Sequence, residues 1–123
     1  MNKQENLQLV EHFWQAFDRL DFEAASELLH DDYVCVWPQT GERIRGRSNF
    51  IAVNKRYPQE WQVTIMRLLV SDDQITSEVK LTYRDEMVFA ISFFEFRDGK
   101  IVRETDYWPE PYDPPTWRAP WVE

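Results

Sequence analysis

Residues 87–108 read MVFAISFFEFRDGKIVRETDYW, two alternating runs joined by Asp98-Gly99. Asp-Gly between two period-two runs is a hairpin signal. A tight turn joining right-twisted strands needs positive φ at its central residues, and glycine supplies this without strain. The first run is apolar on both faces, with Met87, Phe89, Ile91 and Phe93 on one and Val88, Ala90, Phe94 and Phe96 on the other. A strand of that kind needs cover on both sides. Helices can supply one cover. A second subunit or the C-terminal tail must supply the other, so a homodimer through the sheet is expected.

Counting outward from the turn sets Arg97 opposite Lys100, and an uninterrupted ladder then pairs Phe93 with Glu104, Ile91 with Asp106 and Phe89 with Trp108. Val102, Glu104, Asp106 and Trp108 fall on one face, with the two carboxylates about 7 Å apart along the strand. Among Phe93, Ile91 and Trp108, each acid would strengthen the other's hold on a proton, and desolvation would act in the same direction. This setting makes a carboxyl group a general acid or base near neutral pH. The alternative is that this face is outward, with both acids solvated or paired with arginines, and a β-bulge would exchange the faces.

Upstream of this hairpin the period of two extends over strands at 61–70 and 74–83, with turns at Ser71-Asp72-Asp73 and Arg84-Asp85-Glu86. Arg67 and Glu78 are then cross-strand neighbours and a structural ion pair. The N-terminal part instead has helical spacing. Val10, Phe13, Trp14, Phe17 and Leu20 form one stripe, with Leu7 and Leu9 widening it. Asp21 is placed to cap a second, short helix whose Phe22, Ala25 and Leu29 share a face, and His30-Asp31-Asp32 is read as the turn that ends it. A strand follows at 33–37, stopped by Pro38, then a short strand at 43–45. A third helix is expected over 47–57, with Phe50, Val53 and Tyr57 inward and Pro58 ending it. Helices first and antiparallel strands after describe an α+β domain, a curved antiparallel sheet with three N-terminal helices on its concave face. The expected division is a cone-shaped domain over 1–108 and a Pro/Trp-rich tail over 109–123. Five prolines keep the tail from regular helix or central strand. Its Tyr112, Trp117 and Trp121 point to packing on the domain or on a partner subunit.

Composition narrows the function classes. The chain has 123 residues, enough for one domain, and is 43% hydrophobic and 15% aromatic with six Trp. That aromatic excess suits a pocket for a small apolar or aromatic molecule. The net charge of −8, with no basic cluster, disfavours nucleic acid and anionic membrane surfaces. No run is long and apolar enough to span a bilayer, and the polar start lacks a signal-peptide pattern. The one cysteine, Cys35, forms no internal disulfide, so a cytoplasmic location is expected. His12 and His30 lack companions at metal-ligand spacing, and no glycine-rich phosphate loop occurs, so neither a metal nor a cofactor is expected. Cys35 is read as a buried strand residue, not a nucleophile.

The helix and strand order, with His30-Asp31-Asp32-Tyr33-Val34, Trp37-Pro38 through Ile44-Arg45-Gly46-Arg47, and Phe96-Arg97-Asp98-Gly99-Lys100-Ile101-Val102, resembles the nuclear transport factor 2-like superfamily. Within it the chain looks most like the SnoaL-like group, which includes polyketide cyclases. The resemblance covers about residues 7–108 and implies a cone fold, while the scaffold hosts isomerases, cyclases, epoxide hydrolases, dehydratases and binders alike. It also shows departures. Where ketosteroid isomerases of this fold carry an oxyanion-binding Tyr and a base Asp, this chain has Phe13 and Trp37, and the stretch matching their second acid, residues 90–93, has no carboxylate. Arg84-Asp85 lacks the spacing of the Arg-x-Asp pair of limonene epoxide hydrolase-like members. The resemblance leaves the last strand lining the pocket at Glu104, Asp106 and Trp108.

Two functions remain open. One is a cofactor-independent acid/base cyclase, isomerase or hydratase acting on an apolar or aromatic carbonyl compound, with Asp106 moving the proton, Glu104 tuning it, and Phe13, Trp14, Trp37 and Trp108 holding the ligand. The other is a non-catalytic dimeric binding module.

Overall fold

The computed structural model describes residues 2–123. The apolar stripe of the N-terminal segment forms helix α1, Lys3–Asp18, whose cap is Asn2; its side chain accepts a hydrogen bond from the Glu5 amide at 2.9 Å. Asp21 caps α2, Phe22–Ser26, by accepting from the Ala24 amide at 3.1 Å. The third helix, α3, spans Gly46–Lys55. It ends before Tyr57, which stands outside it and is exposed, contrary to the expected inward turn of the helix.

Six strands form one sheet: β1 Leu29–Trp37, β2 Glu42–Arg45, β3 Gln62–Val70, β4 Gln74–Tyr83, β5 Glu86–Arg97 and β6 Lys100–Tyr107, in the order β2-β1-β6-β5-β4-β3. The sheet is curled and unclosed, with the helices packed on one side. Four junctions are antiparallel, but β1 and β6 run parallel, a pairing the expectation of an antiparallel sheet did not contain. No turn connects these two strands, so no local signal marks their contact. Residues 30–32, read as a turn, belong to β1, whose ladder with β6 is irregular between Leu29 and Val34. Leu29 is fully buried as the first residue of that strand and not on α2.

Asp98 and Gly99 both have positive φ, at 50° and 76°, and join β5 to β6 as the dipeptide requires. Arg97 opposes Lys100 and Phe96 opposes Ile101, but the register then shifts by one, so that Glu95 faces Arg103. Glu104 therefore lies opposite Phe94, and Asp106 opposite Ser92, instead of Phe93 and Ile91. The bulge, with Val102 as its extra residue, turns Glu104 and Asp106 from the exposed face of Phe93 and Ile91, where the uninterrupted ladder set them, to the inner face beside Phe94 and Ser92. Arg67 and Glu78 are paired in register, with Arg67 Nε donating to Glu78 Oε1 at 2.7 Å.

The core lies between the helices and the concave side of the sheet, centred on Val10, Phe13, Ala25, Leu29, Tyr33 and Phe94. The opposite face of β5 keeps Met87, Phe89, Ile91 and Phe93 exposed, as the alternation indicates. The tail forms a short 3-10 helix, Thr116–Trp121, in which Trp117 and Trp121 are 72% and 78% exposed. No helix among the described residues is long and apolar enough to cross a membrane.

Candidate functional site

Period two along β1 sends Tyr33, Cys35 and Trp37 to the same side, and the parallel pairing sets Cys35 beside Glu104. From the other flank of β6, β5 contributes Ser92 opposite Asp106. These six side chains all line one cavity of about 640 Å³ beneath the helices.

Asp106 is the hub of the polar cluster. Ser92 Oγ donates to its Oδ1 at 2.6 Å, while Trp37 Nε1 and Cys35 Sγ donate to its Oδ2 at 3.0 and 3.2 Å. An indole N–H can only donate, so Oδ2 must accept. Glu104, 3% exposed, accepts from the Tyr33 hydroxyl at 2.7 Å. Burial pushes Glu104 well above the usual carboxylate range, and the neighbouring Asp106 carboxyl pushes it further; the Tyr33 hydrogen bond opposes this in part. Burial, with the nearby Glu104 charge, also raises the Tyr33 hydroxyl well above its ordinary value, so it keeps its proton and donates. The Cys35 thiol is driven up by burial and by both carboxylates, so it remains a thiol and not a nucleophile.

One pair of oxygens and the sulfur of Cys35, Glu104 and Asp106 lie within 4.8 Å of one another, and these three could hold a metal ion. The donor chemistry fits poorly. Thiolate ligation needs Cys35 to lose a proton that its surroundings hold, and the cluster already satisfies itself with hydrogen bonds. His12 is exposed, and His30 Nδ1 accepts from the Asp32 amide at 2.9 Å, so neither joins the cluster.

The aromatic residues divide between wall and core. Trp37 and Trp108 meet edge to face, with centroids 5.3 Å apart, and both line the cavity. The Trp108 amide donates to Gln39 Oε1 at 2.8 Å, which fixes the chain where it leaves β6. Trp14 also lines the wall, its indole N–H donating to the buried Ser77 hydroxyl at 3.1 Å. Phe13 does not reach the cavity. It is fully buried against Phe94, with centroids 5.6 Å apart, and against Phe50 at 5.8 Å, because its side of α1 faces the sheet while Phe17 takes the wall position. Tyr33, Cys35 and Ser92 are the members that sequence reasoning missed. The alternation Tyr33-Cys35-Trp37 carried a signal for two of them, but without the β1–β6 pairing nothing tied it to the acids.

The SnoaL-like domain model matches residues 10–104, most of the chain. The chain belongs to the SnoaL-like domain family. Two solved structures are similar over nearly their whole length. A protein of Kribbella flavida DSM 17836, provisionally assigned as a ketosteroid isomerase, is 36% identical with a TM-score of 0.90, covering 98% of this chain and 90% of its own. An NTF-2 like protein of unknown function from Burkholderia xenovorans LB400 is 32% identical with a TM-score of 0.85, covering 100% and 97%. An LEH-like epoxide hydrolase of M. tuberculosis is 26% identical, with a TM-score of 0.73 and coverage of 87% and 84%. No match was found among curated proteins. The SnoaL-like scaffold is therefore shared ground, and the chemistry has to be argued from the residues present.

Proposed function

We propose that the cavity binds a small, largely apolar carbonyl compound, and that Asp106 and Glu104 move a proton at the carbon next to its carbonyl. The observation that carries this reading is the buried, proton-retaining Glu104 beside Asp106 at the polar end of an aromatic-walled cavity. Asp106 would take or return the proton through Oδ1, which receives one hydrogen bond while Oδ2 receives two. Glu104, held by Tyr33, would tune the pair and keep one proton within it. Trp14, Trp37 and Trp108 would hold the ligand. The chemistry needs no cofactor, and cyclisation, isomerisation or hydration all contain such a step.

The test is proton exchange in D2O with a panel of small cyclic and aromatic ketones, followed by loss of the α-proton NMR signal. At least one ketone should exchange faster than in buffer, and Asp106→Asn should abolish the gain. Ketones that bind without exchange would oppose the catalytic reading.

One observation favours a second reading, a non-catalytic binding module. The three donors around Asp106 already anchor it as a fixed wall group. Under that reading Trp37→Ala or Trp108→Ala abolishes ligand binding while Asp106→Asn leaves it intact.

The assembly is read as a homodimer through the exposed face of β5, where Met87, Phe89, Ile91 and Phe93 form an apolar strip that helices do not cover. The tail over 109–123 would pack on that partner, since Trp117 and Trp121 find no cover on their own domain. A cytoplasmic location fits the single free cysteine, Cys35.

A further inference from the structure

The charge of the cavity wall is one-sided. Asp106 lies within it beside the proton-retaining Glu104, and Asp85, Glu86 and Glu110 stand at its exposed rim, yet among the described residues no Lys, Arg or His lines it. None of these five carboxyl groups takes part in an ion pair among the described residues. The nearest arginine in sequence, Arg84, sets its guanidinium 5.0 Å from the centroid of the Tyr83 ring and is not part of the wall. The same wall carries the aromatic rings of Trp37, Trp61, Trp108 and Tyr57. Tyr57 feels the rim: burial raises its hydroxyl, and the charges of Glu42 and Glu110 raise it further.

A half-desolvated space bounded by carboxylates and indole rings treats ligands of one shape but different charge unequally. An anion meets uncompensated negative charge, and a neutral molecule gains only apolar contact. A cation gains the contact, the attraction of the rim and the negative faces of the rings. The net charge of −8 adds long-range attraction for the same ligand.

We infer that the cavity selects organic cations, amines or quaternary ammonium compounds with an apolar body, over neutral or anionic molecules of the same shape. This rests on the reading of the cavity as a ligand site and narrows its substrate to carbonyl compounds that also carry a positive charge.

The test is calorimetric titration of the full chain with three matched probes: para-hydroxyphenyltrimethylammonium, its neutral carbon isostere para-tert-butylphenol, and the anion para-hydroxybenzoate. The cation should bind at least about fivefold more tightly than the isostere, the anion should bind most weakly, and the preference should shrink as salt is added. A smaller preference, or tighter binding of either other probe, overturns the inference while leaving the cavity reading in place. Failure of all three to bind overturns both. The double variant Glu86→Gln with Glu110→Gln, at two exposed positions, should lower the cation-to-neutral ratio. An unchanged ratio removes the rim carboxylates from the explanation and overturns the inference as drawn.

Discussion

The Tyr33 hydroxyl donates to Glu104 Oε1 at 2.7 Å, joining two strands that are 71 residues apart in sequence, and both groups are buried. The contact exists because β1 and β6 run parallel at the centre of the sheet. It fixes a carboxyl group that is short of water, beside a second carboxyl that opens to the cavity.

Tyr33→Phe removes the donor and leaves the ring. The Glu104 oxygen then lacks a partner in a dry site, so the unfolding free energy should fall by about 1–3 kcal/mol in urea denaturation. The same change should shift Glu104 further upward, because the Tyr33 bond is the one influence that favours the charged form.

Glu104→Gln should change how stability depends on pH. The folded protein holds the Glu104 proton more tightly than the unfolded chain does, so stability from this group is complete below the unfolded value, about pH 4.3, and is lost as pH rises through the raised folded value. Wild-type stability minus that of the variant should therefore decline with rising pH, by no more than about 1.4 kcal/mol per pH unit. Denaturation curves collected from pH 4 to 8 check the sign.

Asp106→Asn should lower α-proton exchange by about 10²–10⁴-fold for any ketone the wild type processes, with ligand affinity changed far less. Trp37→Phe tests the same carboxyl group from its other oxygen. It deletes one of the two donors to Oδ2, and its exchange rate should fall by less than that of Asp106→Asn.

Phe93→Glu places a charge in the exposed strip of β5. Sedimentation at micromolar concentration should show a dimer for the wild type and a monomer for the variant. A monomeric wild type would contradict the assembly.

Where local chemistry dictates structure, the sequence was readable. β4 has the bounds its alternation indicates, Asp98-Gly99 makes its turn, Asp21 makes its cap, and the two faces of β5 divide as their residues require. Period two kept Glu104 and Asp106 on one face together, but the uninterrupted ladder set that face with the exposed Phe93 and Ile91, and it is the bulge before them that turns both acids inward. Their cross-strand partners were misassigned because that bulge, between the turn and Arg103, carries no glycine or proline to announce it. Phe13 was taken for a pocket residue because a helical stripe does not say which of its members meet the sheet. Tyr33, Cys35 and Ser92 were missed for a topological reason: their relation to the acids depends on strand neighbours that no turn or spacing encodes.

The most direct measurement is a pH titration of the Glu104 side-chain carboxyl by carbon-13 NMR, with its signal assigned by loss in Glu104→Gln. A midpoint well above that of an ordinary glutamate, moving higher still in Tyr33→Phe, is the expected result. A midpoint at the ordinary value, unmoved by Tyr33→Phe, would contradict the proton-holding pair on which the proposed chemistry rests.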